Sequence, residues 1–448
     1  MENSAMVENN TETVDLRIIS IERIKPSSAT PHHLRTLKLS ILDQYMVGFY
    51  PSSIIYFPNT CVSNDVKVRC LKESLSEILT RYYPFAGEIN DNCHIECNDK
   101  GVYFIEARVN QTLEEFLCQP DDQKIRKLNP QLPESSSRNY VMSVQVNVYN
   151  CGGISISVSA THKILDAGTY FTFMKAWAAA CGGFPETVSP SFDASEVFPN
   201  NPSLKFWFPS NLIPTKVVAT KRFVFDSTTV AFLKTKTITC SNKHTSLASR
   251  GTTRAEVITA LIWKAAAKAA CTVKSFGLQS PHALLSLVNL RKRALPPLPN
   301  ESIGNLFTKA IGICFPIKQP ALSEFVGIIR ESIAKINADH IESLKGEKGS
   351  KALTEMNNLL NGMKEGHYLF ANSMLNSGIY ELDFGWGKPI WFYNMTSGSG
   401  VVTLTDVTNG GGVEAIVSLS CEEMEIFELD PEILSYATLN PSPLRILH

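Results

Sequence analysis

The sequence predicts a mixed α/β protein built from two similar-sized domains, and three observations carry that expectation. The chain has 448 residues, and at roughly 100–200 residues per domain this is enough for two or three cores. Strand-like and helix-like periods alternate through both halves, and no repeat of the roughly 20–50-residue solenoid type is evident. Between them, Pro185, Pro190, Pro199, Pro202, Pro209 and Pro214 interrupt all periodicity, as a crossing between domains would. The expected division is 1–195, a Pro-rich crossover over 196–214, and 215–448.

Composition narrows the function classes. Apolar residues make up 44% and charged residues 19%, which suits a globular chain and not a disordered one. The 42 basic and 43 acidic residues give a net charge of −1, so a strongly basic nucleic-acid footprint is not expected. The stretch most like a membrane span, Ala255 to Val273, is interrupted by Glu256, Lys264 and Lys268. The polar start, with Glu2, Asn3, Glu8, Asn9 and Asn10, has no signal-type apolar core. The 11 cysteines are odd in number and thinly scattered, and read as reduced thiols acting mainly as small buried hydrophobes. The expectation is a soluble cytoplasmic monomer with neither nucleic acid nor membrane as partner.

In the first half, residues 1–14 are polar and read as disordered. A strand is expected at 15–22 and a buried one at Ile54–Phe57, bounded by Pro51 and Pro58. Leu71, Leu75, Ile78 and Leu79 share one face of a helix over 66–82. Strands follow at 85–89, 94–97 and 102–107, a short helix at 113–117, and a Pro/Ser loop at 130–137. Strands at 141–149 and 154–160 flank the turn signal Gly152-Gly153. The alternation of Ile154, Ile156, Val158 and Ala160 with serines predicts a half-buried strand. Tyr170, Phe173, Met174 and Trp177 then mark a helix over 167–180.

In the second half, a strand at 221–225 leads into a helix at 227–234 and a Ser/Asn/Lys loop over 240–251. The Ala-rich run 254–271 is a strong helix former, with Thr252 or Thr253 as N-cap. Strands at 283–289 and 308–314 and long helices at 321–343 and 350–371 follow, separated by a charged loop at 345–349. Strands from Trp391 onward close the chain, with Asn409 to Gly412 turning between 404–407 and 413–419.

Chemistry concentrates at Thr161-His162-Lys163-Ile164-Leu165-Asp166-Ala167-Gly168. His162 ends a strand just before a helix, where a side chain on a rigid support can face a cleft. An imidazole near pKa 6.5 can accept a proton at neutral pH. Asp166 is placed to orient that imidazole or to pair with a distant Arg. The spacing alone also fits a histidine that merely caps a strand. Asp383-Phe384-Gly385-Trp386-Gly387 reads as a tight turn packed by an aromatic and carries no nucleophile. Cys93-His94-x2-Cys97 lacks the second pair that a four-ligand zinc site needs, and no metal is expected.

The two motifs, separated by 221 positions from His162 to Asp383, resemble those of the plant BAHD acyl-CoA-dependent acyltransferases. Leu42-Asp43-Gln44, Arg81 to Gly87, Val288-Asn289-Leu290-Arg291 and Ile303-Gly304-Asn305 agree with that family. Ile24 to Ser28 and Thr253-Arg254-Ala255-Glu256 are similar to its vinorine synthase-like alkaloid acetyltransferase branch. The resemblance spans nearly the whole chain. It implies two chloramphenicol-acetyltransferase-like domains, each a mixed β-sheet with flanking helices, with an active-site channel at their interface. Residues 383–402 are expected to pack on the first domain.

By the same resemblance, His162 is the catalytic base of direct acyl transfer to an alcohol, with no acyl-enzyme. Asp166 pairs with Arg291, and Asp383, Gly385, Trp386 and Gly387 are structural. Relatives often carry Thr-Ser-Trp or Ser-Ser-Trp about ten residues before the second motif. Here Asn372-Ser373-Met374 stands instead, making Asn372 and Met374 candidate oxyanion or acceptor-pocket residues. Acyl-CoA is the implied co-substrate, acetyl-CoA above all, with no permanently bound cofactor. Its contacts are expected near Thr252, Thr253 and Asn305, with basic Lys243, Arg250 and Arg254 nearby. The implied acceptor is an alkaloid or related hydroxyl. Malonyl-CoA or an aromatic acyl-CoA as donor, an amine acceptor, and a non-catalytic ligand-binding relative are the alternatives.

Overall fold

A computed structural model describes residues 14–46, 48–134, 136, 139–184, 189–204, 218–238, 251–274, 277, 279–362, 367–396, 398–408 and 410–446. The expected disorder at 1–13, residues 205–214 of the expected crossover, most of the 240–251 loop, and Asn409 lie outside these residues.

In chain order the described strands are β1 (Leu16–Ile24), β2 (Thr36–Lys38), β3 (Ser52–Phe57), β4 (His94–Glu96), β5 (Val102–Val109), β6 (Met142–Tyr149), β7 (Ile154–Ala160), β8 (Val218–Phe225), β9 (His282–Asn289), β10 (Phe307–Cys314), β11 (Tyr368–Ser373), β12 (Trp391–Met395), β13 (Val401–Asp406), β14 (Val413–Ser420) and β15 (Thr438–Leu439). Six form one mixed sheet in the order β1-β5-β6-β7-β3-β12, and seven form another in the order β10-β9-β11-β13-β14-β8-β15. Only β5–β6 in the first sheet, and β9–β11 and β11–β13 in the second, run parallel. The chain therefore leaves the second sheet after β11, adds β12 antiparallel to the edge of β3, and returns as β13.

Helices pack on both sheets, and the largest cores lie under three of them. Leu71, Leu75, Ile78 and Leu79 of the helix Asn64–Leu79 join Phe173, Met174 and Trp177 of the helix Ala167–Gly182 in the first core. The helix Arg254–Val273 supplies Val257, Ile258, Leu261, Ile262 and Trp263 to the second. Thr253 caps that helix, accepting a bond from the Glu256 amide while the Glu256 carboxylate accepts one from Thr253 N.

Several expectations need correction. β7 is buried on both faces, not half-buried. Its serines lie in a buried polar layer: Ser155 Oγ accepts from Asn147, Ser157 Oγ donates to Asn129, and Ser159 Oγ accepts from Ser52. The strand expected at 85–89 is instead a 3-10 helix, Tyr83–Ala86, because Pro84 sets its turn and Gly87 N closes it on Pro84 O. The helix expected at 321–343 breaks into Leu322–Ala334 and Ala338–Ser343, where Asn337 caps the second piece. The next helix, Gly346–Asn361, absorbs most of the charged segment read as a loop but stops ten residues early. Tyr368–Ser373 becomes the strand between β9 and β13, since burial of Tyr368, Leu369 and Ala371 between two partners outweighs local propensity. Of the ten described cysteines, all free, Cys97, Cys271 and Cys314 are buried, Cys70, Cys151 and Cys181 are partly buried against the cores, and Cys61, Cys118 and Cys421 are exposed.

Candidate active site

Between the two sheets lies a cavity of about 280 Å³. Its walls include Ser53, Ala160 and Asn394 from the first sheet and Asn289, Phe307, Lys309, Phe370, Asn372 and Thr403 from the second. His162, Asp166 and Met374 also line it.

His162 follows β7 directly, and its backbone amide donates to Phe49 O at 2.9 Å. The Phe49 ring lies 5.0 Å from the imidazole, centroid to centroid. Nδ1 is 2.9 Å from Asn305 Oδ1. Asn305 Nδ2 donates to His162 O at 2.7 Å and to Asp43 Oδ1 at 2.8 Å, both acceptors. These two bonds assign the amide orientation, leaving Oδ1 as acceptor and Nδ1 of His162 as the donor. The network thus assigns the neutral tautomer whose Nε2 carries the free lone pair. Burial lowers the His162 pKa below its ordinary value. Its hydrogen bonds and Asp166 oppose that shift, while Lys309 reinforces it.

Asp43 is the far end of this chain. Its carboxylate accepts from Asn305 N and Nδ2 on one oxygen and from Ser40 N and Oγ on the other. Burial raises its pKa, and those donors oppose the rise. The sequence reading noted Asp43 only as part of a motif. Its partner lies 262 positions away, a pairing that spacing cannot reveal.

Asp166 turns toward Arg291. Arg291 Nη1 and Nη2 donate to its two carboxylate oxygens at 2.8 and 3.0 Å, and the amides of Thr169 and Leu306 donate to the same carboxylate. Arg291 is 2% exposed and also donates to Ser302 O. The ion pair therefore ties the start of the helix Ala167–Gly182 to the segment between β9 and β10. A Cβ at Gly168 would stand 2.6 Å from Arg291 Nη1, so the guanidinium can lie there only against glycine.

Asp383, Gly385, Trp386 and Gly387 lie away from the cavity lining. The Asp383 carboxylate accepts from Gly385 N and Gly387 N, and both glycines have positive φ, +99° and +107°. Phe384 and Trp386 pack edge-on against Phe57 of β3. The loop clamps the first core.

Asn372 and Met374 lie with His162 around the cavity. The residues expected at CoA do not line it. Asn305 spends its side chain on His162 and Asp43. Thr252 Oγ1 bonds Thr237 and accepts from Arg330, and Thr253 caps its helix. In these bonds both threonine hydroxyls act as acceptors. Arg254 donates to Gly412 O, Asn376 and Asp406, while Lys243 and Arg250 lie outside the described residues. Asp91, Cys93 and His94 approach one another at the surface, whereas Cys97 is buried apart from them.

A family model described as the Transferase family matches residues 14–434. The chain belongs to this BAHD-type transferase family. A limonoid 7-O-acetyltransferase from Citrus sinensis is 36% identical, over 95% of this chain and 99% of the relative. Stemmadenine O-acetyltransferase from Catharanthus roseus is 34% identical, over 93% and 96%. The crystal structure of vinorine synthase superposes with a TM-score of 0.81 at 30% identity, covering 94% of this chain and 98% of that one. The two-domain α/β architecture and the acyl-CoA-dependent acyltransferase class are thereby established for this BAHD transferase. No helix among the described residues is long and apolar enough to cross a membrane.

Proposed function

We propose that this enzyme transfers an acetyl group from acetyl-CoA to a hydroxyl of a polycyclic plant specialised metabolite, an alkaloid or a limonoid, with His162 as general base. The observation that carries the reading is the Asp43–Asn305–His162 chain, which holds Nδ1 protonated and frees Nε2 as a base. The names of the relatives support acetyl as the group and a bulky alcohol as the acceptor.

An alcohol is a weak nucleophile at neutral pH. In this mechanism Nε2 takes the hydroxyl proton as the oxygen attacks the thioester carbonyl. The tetrahedral oxyanion then collapses, the C–S bond breaks, and the imidazolium returns the proton to the CoA thiolate. Atoms balance without a covalent enzyme intermediate. Asn372 lines the cavity, its side chain makes no hydrogen bond among the described residues, and it is the proposed oxyanion donor. Asp166 and Arg291 position the His162 segment and do not touch the reacting atoms.

The test is mass spectrometry of products after incubation with acetyl-CoA and a panel of alkaloid and limonoid alcohols. The wild type should add one acetyl group. His162→Ala should lose about 10²–10⁴-fold in rate, the usual contribution of a general base, with an unchanged circular dichroism spectrum. A fully active His162→Ala would sink the mechanism.

A further inference from the structure

Lys309 belongs to β10 and lines the cavity, yet nothing above uses it. The residue is 9% exposed. Among the described residues its side chain makes no ion pair and no hydrogen bond. Its ammonium lies over the Tyr45 ring, 4.6 Å from the centroid. Asp166, the carboxylate in this lining, is committed to Arg291, and Asp43 behind His162 is committed to Ser40 and Asn305. A cation withdrawn from water without a counter-charge is unfavourable, and an aromatic face offsets only part of the cost. Burial accordingly lowers its pKa to about 8, a value that leaves most of the lysine charged at neutral pH.

Apart from Asp166, whose charge is met by Arg291, the cavity is otherwise lined by neutral groups such as Phe49, Leu165, Phe307, Phe370 and Met374, with His162 held as a neutral tautomer. An uncompensated positive charge in such a wall is complementary to a negative charge brought by the ligand. We propose that Lys309 is a specificity-determining residue that receives a carboxylate carried by one of the two substrates, on the acyl group or on the alcohol. The inference rests on the reading of this cavity as the acyl-transfer site and deepens it by assigning a charge to the substrate class; a carboxylate on the acyl group would replace acetyl as the group transferred and keep His162 as the base.

The experiment compares dissociation constants by calorimetry for wild type, Lys309→Met and Lys309→Arg. One arm uses acetyl-CoA against malonyl-CoA. The other uses cholate against methyl cholate, a bulky polycyclic alcohol with and without a carboxylate, in the presence of CoA. In one arm the wild type should prefer the carboxylate-bearing ligand, and Lys309→Met should lose about 10- to 100-fold of that preference, the range of a charge-assisted hydrogen bond. Lys309→Arg should keep most of it. The responding arm identifies which substrate carries the charge. Equal ratios for wild type and Lys309→Met in both arms, including failure of the probes to bind, overturn the proposal. If Lys309→Met does not fold, Lys309→Gln replaces it with the same expectation. Loss of His162-dependent acetyl transfer, measured separately, would instead strike the mechanism.

Discussion

The environment of His162 makes a demand on its chemistry that the motif spacing does not express. Its ring is packed between Phe49 and Phe307, and desolvation penalises the imidazolium. A base of this kind loses activity as pH falls through its pKa, and that pKa is depressed. The acid limb of kcat/KM should therefore lie below pH 6.5, the ordinary histidine value. Lys309 is one cause of the depression. Removing it in Lys309→Met should move the acid limb upward, and a pH–rate profile of both proteins checks the direction. His162 and Asp166 were legible because the chemistry sits in one short segment. Asn305 stands in the sequence analysis as an expected CoA contact, and Asp43 only as part of a motif. Their bond to each other exists only after the fold brings distant segments together. Lys309 left a signal, a charge inside an otherwise apolar strand, that was available but unused.

Helix ends do more than finish helices in this fold. Asp166 is both the N-cap of the helix Ala167–Gly182, accepting from Thr169 N, and the counter-ion of a fully enclosed arginine. Asp166→Ala removes both functions and leaves Arg291 buried without its anion. Loss of one partner of such a pair costs about 3–5 kcal/mol, and loss of a cap about 1 kcal/mol. Urea unfolding should show a large fall in midpoint alongside reduced activity, whereas His162→Ala should show the activity loss alone. An unchanged midpoint in Asp166→Ala would contradict the structural role. The helices Asn64–Leu79, Ala167–Gly182 and Arg254–Val273 were legible from apolar spacing and Ala content, the last also from its capping threonine. β11 was not, because its six residues carry no strict alternation and become a strand only by lying between two partners.

At the scale of the molecule, the two sheets are joined by a buried polar staple. Arg222 of β8 pairs with Glu414 of β14 at 2.6 Å, with side chains 3% and 2% exposed. Trp391 of β12 donates to the same glutamate, and Arg222 lies over the Trp391 ring at 4.6 Å. One glutamate thus holds an arginine of its own sheet and a tryptophan of the other. Glu414→Ala strands Arg222 and should cost about 3–5 kcal/mol. Arg222→Met combined with Glu414→Leu should recover much of this in denaturant titration, because it removes the orphaned charge. The two-domain α/β class was legible from alternating periods in both halves, but this staple was not, since its three residues come from three separate strands.

The excursion of β12 also bears on how the protein is made. β3 is buried along its whole length and receives its outer neighbour only from residues 391–395. Ribosomes add about 5–20 residues per second, so the early sheet stands for tens of seconds with the edge Ser52-Ser53-Ile54-Ile55-Tyr56 unpaired. Such an edge is a template for any other extended chain. Polypeptides released before Trp391 should therefore be the aggregating species in expression. Cutting the gene at the mid-chain prolines would yield a first half that lacks one of its own strands.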